Sequence, residues 1–198
     1  MKMSRMEKLF VNSLRHAKGN IKLLDRLFAG LDLSTTKRVL EIGCGAGIVA
    51  DHLSRTHGMN IVGTDVDPEQ IEAANKYFLD NDQVQFRVAD AIQLPFENGK
   101  FDMVLSLKVL HHISDWEKAL EEVSRVLKPN GYFILADLVF PKLLTRLLNP
   151  VVKKYGVYTV DEIISTGSKN GLAVLHREKP GWTVPFTHLN ILFQKVVE

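Results

Sequence analysis

Apolar positions along this chain follow two rhythms that alternate from Lys37 onward. RVLEI (38–42), NIVGTD (60–65), VQFRVAD (84–90), FDMVLSL (101–107) and YFILADLVF (132–140) are short apolar runs. Rich in Val, Ile and Leu and too short for helices, they are predicted as strands. Between them apolar residues return every three or four positions. One helix runs from a Gly-rich turn to about His57. A second follows Pro68 with Ile71, Ala74, Tyr77 and Phe78, and a third spans 115–127 with Trp116, Ala119, Leu120, Val123, Val126 and Leu127. KPNG (128–131) is predicted as a turn. Apolar strands alternating with helices require a mostly parallel sheet covered by helices on both faces.

The flanks extend this pattern. Met6, Leu9, Phe10 and Leu14 recur at helical spacing, predicting an amphipathic helical cap over 1–36 that packs on the core or rests on a membrane surface. Residues 141–170 read as two helices separated near Gly156. The first bears a stripe of Leu143, Leu144, Leu147, Leu148, Val151 and Val152, with Lys142, Arg146, Lys153 and Lys154 off it. That stripe packs on the sheet, roofs a substrate pocket or touches a membrane. Leu172–Glu178 and His188–Val196 read as the last two strands, joined by the turn KPGWTVP. The expectation is one α/β domain over 1–198, with a core at 37–140 and a substrate-side segment at 141–198.

Composition narrows the function classes. The 198 residues are 45% hydrophobic and 24% charged, with a formal net charge of +2, the balance of a folded globular protein and not of a strongly cationic nucleic-acid binder. A single cysteine, Cys44, excludes an internal disulfide framework and a multi-cysteine metal site, and suggests a cytoplasmic protein. The N-terminus lacks the continuous apolar stretch of a secretory signal. The small net charge hides segregation: residues 1–38 carry nine basic and three acidic side chains, 39–140 eight and sixteen, and 141–198 eight and four. The acidic middle is also where the glycines cluster.

VLEIGCGAG places Gly43, Gly45 and Gly47 directly after a strand and before a helix, where backbone can approach a ligand closely. The dinucleotide pattern G-x-G-x-x-G fits poorly, because its third glycine would fall at Ile48. Glu41, inside the preceding strand, would repel a pyrophosphate but suits a cationic, phosphate-free ligand. Asp65, ending the second strand, can accept hydrogen bonds from ribose hydroxyls.

E-I-G-C-G-A-G resembles the E/D-x-G-x-G-x-G signature of class I S-adenosylmethionine (SAM) dependent methyltransferases. The likeness continues in order through VGTDVDPEQIEAA, FRVADAIQLPFENGKFDMVLSLKVLHHI and VLKPNGYFILAD, covering about residues 36–138. It is nearest to the small-molecule branch that includes quinone-biosynthesis type enzymes. The resemblance implies a Rossmann-like domain with a seven-stranded, mostly parallel sheet and a last antiparallel strand. It also implies SAM as cofactor. Glu41, Gly43, Cys44, Gly45 and Gly47 would surround the methionine portion, and Asp65 would bind the ribose. Val66 and Gln70 would lie by the adenine, Asp90 and Ala91 would bind its edge, and Leu107 would face the methionine end.

Methyl transfer from a sulfonium is an in-line displacement, for which positioning can supply about 7–11 kcal/mol. A phenolic or carbon acceptor also needs a base. His111 and His112, after the fourth strand with Lys108 just before them, are the candidates, although LHHI also serves packing. His16, Tyr155 and Tyr158 are weaker ones. Ser106-Leu107-Lys108-Val109 stands where DNA amino-methylating enzymes carry D/N/S-P-P-Y/F, and Cys44 alone cannot support thiol chemistry, so no nucleic-acid or metal partner is expected. The expected acceptor is a small molecule, apolar or acidic. A SAM-binding protein without catalysis and a nicotinamide-dependent oxidoreductase remain the alternatives.

Overall fold

A computed structural model describes residues 14–139, 155–178, 181–183 and 186–196. Contacts within the chain group it into two compact units, residues 2–90 and 91–198.

The first unit runs α1 (Leu14–Phe28), β1 (Arg38–Ile42), α2 (Ile48–His57), β2 (Asn60–Asp65), α3 (Pro68–Tyr77) and β3 (Val84–Val88). β2 pairs in parallel with β1 on one side and with β3 on the other. Val39, Leu40, Ala50, Leu53, Ile61 and Ala74 are fully buried among these strands and helices. Local chemistry sets the boundaries. α2 stops at Gly58, whose left-handed backbone (φ 65°) lets its N–H donate to the Ser54 carbonyl. α3 starts where the Asp67 carboxylate accepts from the Glu69 N–H, with Pro68 in the first turn. Because the strands are parallel, Ile42, Asp65 and Val88 all end at the same edge of this sheet, from which the glycine turn departs.

The second unit runs β4 (Phe101–Leu107), a 3-10 turn (Leu110–His112), α4 (Trp116–Val126), β5 (Leu127–Val139), α5 (Val160–Lys169), β6 (Leu172–Arg177), β7 (Gly181–Thr183) and β8 (Phe186–Lys195). β4 and β5 are parallel, and β8 lies antiparallel between β5 and β6. The expected last antiparallel strand is therefore β8, and Phe133 of β5 stacks on its Phe193 with ring centroids 5.7 Å apart. α4 packs on β5 and α5 on β6. Arg125 of α4 donates to the carbonyls of Leu94 and Phe96 and pairs with Glu122, pinning the loop that leads into β4.

Three details depart from the sequence reading. KPNG does not separate α4 from a strand starting at Tyr132. β5 already begins at Leu127, and the turn survives as an excursion from the ladder, since Phe101 faces Leu127 while Met103 faces Tyr132. Asn130 takes a left-handed φ of 62° there, and a Cβ on Gly131 would meet the Lys128 and Asp102 carbonyls at 2.9 and 3.0 Å. KPGWTVP is more than a turn, because Gly181–Thr183 forms the short strand β7 on β8. β7 is thus a short addition to the seven strands expected. The apolar stripe of 143–152, Met6, Leu9 and Phe10, and the His16 side chain lie outside the described residues. Among the described residues no helix is long and apolar enough to cross a membrane.

Candidate active site

In the first unit the glycine turn is built by its own conformation. Gly43, Gly45 and Gly47 have φ of 66°, 52° and 81°, a region costly for residues with a Cβ. The Cys44 N–H donates to the Thr64 carbonyl, and the Gly45 N–H donates to Asp65 Oδ2 at 3.1 Å. The other Asp65 oxygen accepts from the Asp67 N–H at 2.9 Å. Asp65 therefore shapes the turn and the entry to α3 at once, a role its spacing alone did not suggest. Burial raises its pKa despite these N–H donors.

Glu41 is the most unusual group in this unit. It sits in β1, only 3% exposed, and its Oε2 has no hydrogen-bond partner. Burial pushes its pKa up to about 8, against the Ala50 N–H at the start of α2, which favours the charged form. A buried carboxylate oxygen without a donor costs folding free energy. It fits a ligand bringing its own cationic donor, such as the ammonium of SAM. The Cys44 thiol is buried and pushed well up by that burial and by the nearby Glu41 and Asp65 charges, so it is an unreactive filler at neutral pH.

The remaining predicted positions of this unit differ in exposure. Val66 is 48% exposed, an apolar surface directly after Asp65. Gln70 is buried in α3, whereas Asp90 is exposed. Phe86 of β3 was not singled out from the sequence, yet it decides why Gly47 and Gly63 are glycines. A Cβ on either would come within 2.4 and 2.7 Å of its ring.

In the second unit Ala91 is buried, and Leu107 is the buried last residue of β4. The chain then turns sharply. Lys108 adopts φ 63° while its N–H donates to the Ala136 carbonyl of β5, and the 3-10 turn carrying both histidines follows. His111 and His112 pack ring against ring at 4.0 Å, and Tyr155, 40% exposed, lies 6.4 Å from His112.

His111 Nδ1 forms a short contact with Asp137 Oδ1, and Asp137 also accepts from the N–H groups of His111 and Leu138. The Asp137 side chain is fully buried and that of His111 is 14% exposed. A carboxylate at Asp137 can only accept, so a neutral His111 paired with it donates from Nδ1 and is left with its lone pair on Nε2. The sequence carried a signal for Asp137 that went unused: like Glu41, it is an acid inside an otherwise apolar strand. Tyr158 is fully buried against Trp116, and burial together with the Asp137 charge pushes its phenol well above the usual range. It is therefore a packing residue and no base. Gly156 lets the following segment close on this turn: its N–H donates to the His111 carbonyl, and a Cβ there would meet the Leu110 carbonyl at 2.5 Å.

Comparison with known proteins finds relatives of one kind. Residues 40–135 match the family described as Methyltransferase domain. The methyltransferase GfsG of Streptomyces halstedii is 31% identical over 142 residues, 70% of this chain and 51% of that protein. The 27-O-demethylrifamycin SV methyltransferase of Amycolatopsis mediterranei is 36% identical over 121 residues, 60% of this chain and 44% of that one. The chain thus spans about half the length of the curated relatives it matches. In fold it is similar to a geranyl diphosphate methyltransferase solved in complex with SAM, with a TM-score of 0.77 at 15% identity over 95% of this chain and 89% of the other. The family match runs through both units, from β1 to β5, and over that core the chain is similar to the class I SAM-dependent methyltransferases.

Proposed function

We propose that the chain transfers a methyl group from SAM to a small-molecule acceptor, with His111 as the base. The observation that carries this reading is the unpartnered, buried Glu41 oxygen beside the family's glycine turn. Glu41 would hold the ammonium of the cofactor, and Gly43, Cys44, Gly45 and Gly47 would follow its methionine portion with their backbone. Asp65 has lone pairs left for ribose hydroxyls after accepting from Gly45 and Asp67. Val66 and Gln70 would flank the adenine, Asp90 and Ala91 its edge, and the Leu107 backbone the methionine end. When bound, the cofactor supplies an electrophilic methyl group on a good leaving group.

The protein's own work is then to place the acceptor, exclude water and remove a proton. His111 is suited to the last task, because Asp137 fixes its tautomer and leaves Nε2 free to accept. Asp137 is a positioning residue that holds the ring in place. His112 packs on His111 and helps fix its orientation. A relative that methylates 27-O-demethylrifamycin SV supports a small-molecule acceptor. A single cysteine, which allows no internal disulfide, supports a cytoplasmic setting.

The test is release of S-adenosylhomocysteine (SAH) from labelled SAM against a panel of phenols, amines and carbon acids. Turnover with at least one class is expected. His111→Ala should then lower kcat/KM by roughly 100- to 1000-fold. Asp137→Asn should lower kcat while leaving SAM affinity unchanged, a split that a merely structural role would not give. Tight SAM binding without turnover across the panel would leave a cofactor-binding protein that is not an enzyme.

A further inference from the structure

We propose that Lys108 is a carboxylate-recognition residue on the acceptor side, so that the methyl acceptor carries a carboxylate. This rests on the methyl-transfer reading above and names the acceptor's chemical class. Lys108 stands directly after β4 and three residues before His111, on the same short turn. Its backbone is in the left-handed region at φ 63°, which is unfavourable for a residue with a Cβ, and is held there by its N–H bond to Ala136. A glycine or asparagine would relieve that conformation, so the lysine is held there at a cost in backbone strain.

The ammonium itself has an incomplete environment. The Lys108 side chain is half-buried, and among the described residues no hydrogen bond or ion pair reaches its nitrogen. The charge that faces it is Asp137, whose oxygens already accept from His111 Nδ1 and from two backbone N–H groups. Asp137 therefore supplies field to Lys108 without partnering it. Burial disfavours the charged lysine, consistent with a site completed by an incoming anion. A carboxylate answers these terms: it accepts two or more hydrogen bonds, cancels the charge, and orients the acceptor against the base three residues away.

Two carboxylates could meet Lys108, that of the acceptor and that of the cofactor's methionine portion, and the experiment separates them. SAM affinity is measured for wild type, Lys108→Met and Lys108→Arg. Benzoate and benzamide, then phenylacetate and phenylacetamide, are titrated into 15N-labelled protein saturated with SAH, following the amide signals of Lys108 and His111. The expected result is unchanged SAM affinity in both variants. Wild type should bind the carboxylates at least about tenfold more tightly than the amides. That preference should vanish in Lys108→Met and persist in Lys108→Arg. Equal binding within each pair, no saturable carboxylate binding, or a preference surviving in Lys108→Met overturns the proposal. So does a loss of SAM affinity in Lys108→Met, which would assign the lysine to the cofactor. Failure of wild type to bind SAH would instead defeat the methyl-transfer reading, and the same titrations on cofactor-free protein would still report on Lys108.

Discussion

Glu41 and Asp137 are both acids in apolar strands, and their environments set them to opposite tasks. Glu41 has an oxygen without a donor and is held protonated by burial up to about pH 8. Asp137 is saturated by His111 and two N–H groups. The Glu41 shift has a definite consequence for stability. Below its ordinary value of 4.5 the folded and unfolded chains both hold the proton. Between there and about 8 only the folded chain does, so stability falls as pH rises, by up to ~1.4 kcal/mol per pH unit from this group. Above that range the penalty is constant. Cofactor-free Glu41→Gln protein should therefore melt higher than wild type at pH 8 and converge with it near pH 5. Thermal melts across that range check this, and parallel curves would contradict it. An ammonium paired with Glu41 reverses the preference, so SAM binding at pH 7 should release protons, read as calorimetric heats that depend on the buffer's ionisation enthalpy.

At the scale of elements, the glycine turn is a packing device as well as the proposed binding one. Gly47 closes β1 onto α2 in a left-handed conformation, and the Phe86 ring from β3 occupies the space where a Cβ would stand. Gly47→Ala should destabilise the protein by about 1–3 kcal/mol in urea titration, from strain and overpacking together. Phe86→Leu should recover part of that loss in the double variant, leaving the conformational cost. Additive effects of the two changes would show that the ring contact is unimportant. The elements were legible where one physical signal dominated. β1, β2 and β4 end where their apolar runs end, and Pro68 behind Asp67 starts α3. KPNG misled because its residues do leave the ladder, yet the strand resumes on both sides of them. β7 was hidden because three residues are too few for a periodicity, and its existence depends on β8.

At the scale of the whole molecule, order along the chain carried more than any single motif. The ordered signatures identified the family and its cofactor, and the family match spans the same core. Asp137 and Phe86 were not legible as partners of His111 and Gly47, because they lie 26 and 39 residues further along and only the folded backbone brings them near. The acidic stretch of 39–140 gains a physical meaning from Glu41, Asp65 and Asp137, three buried acids of which Glu41 alone keeps an oxygen without a partner. The central claim is that this turn binds SAM through Glu41. Calorimetric titration of SAM into wild type and Glu41→Gln at pH 7 tests it most directly. The account predicts saturable one-to-one binding to wild type and an affinity at least about tenfold weaker in the variant, the worth of a charge-assisted hydrogen bond. No binding by wild type at millimolar SAM, or equal affinity in the two proteins, would contradict it.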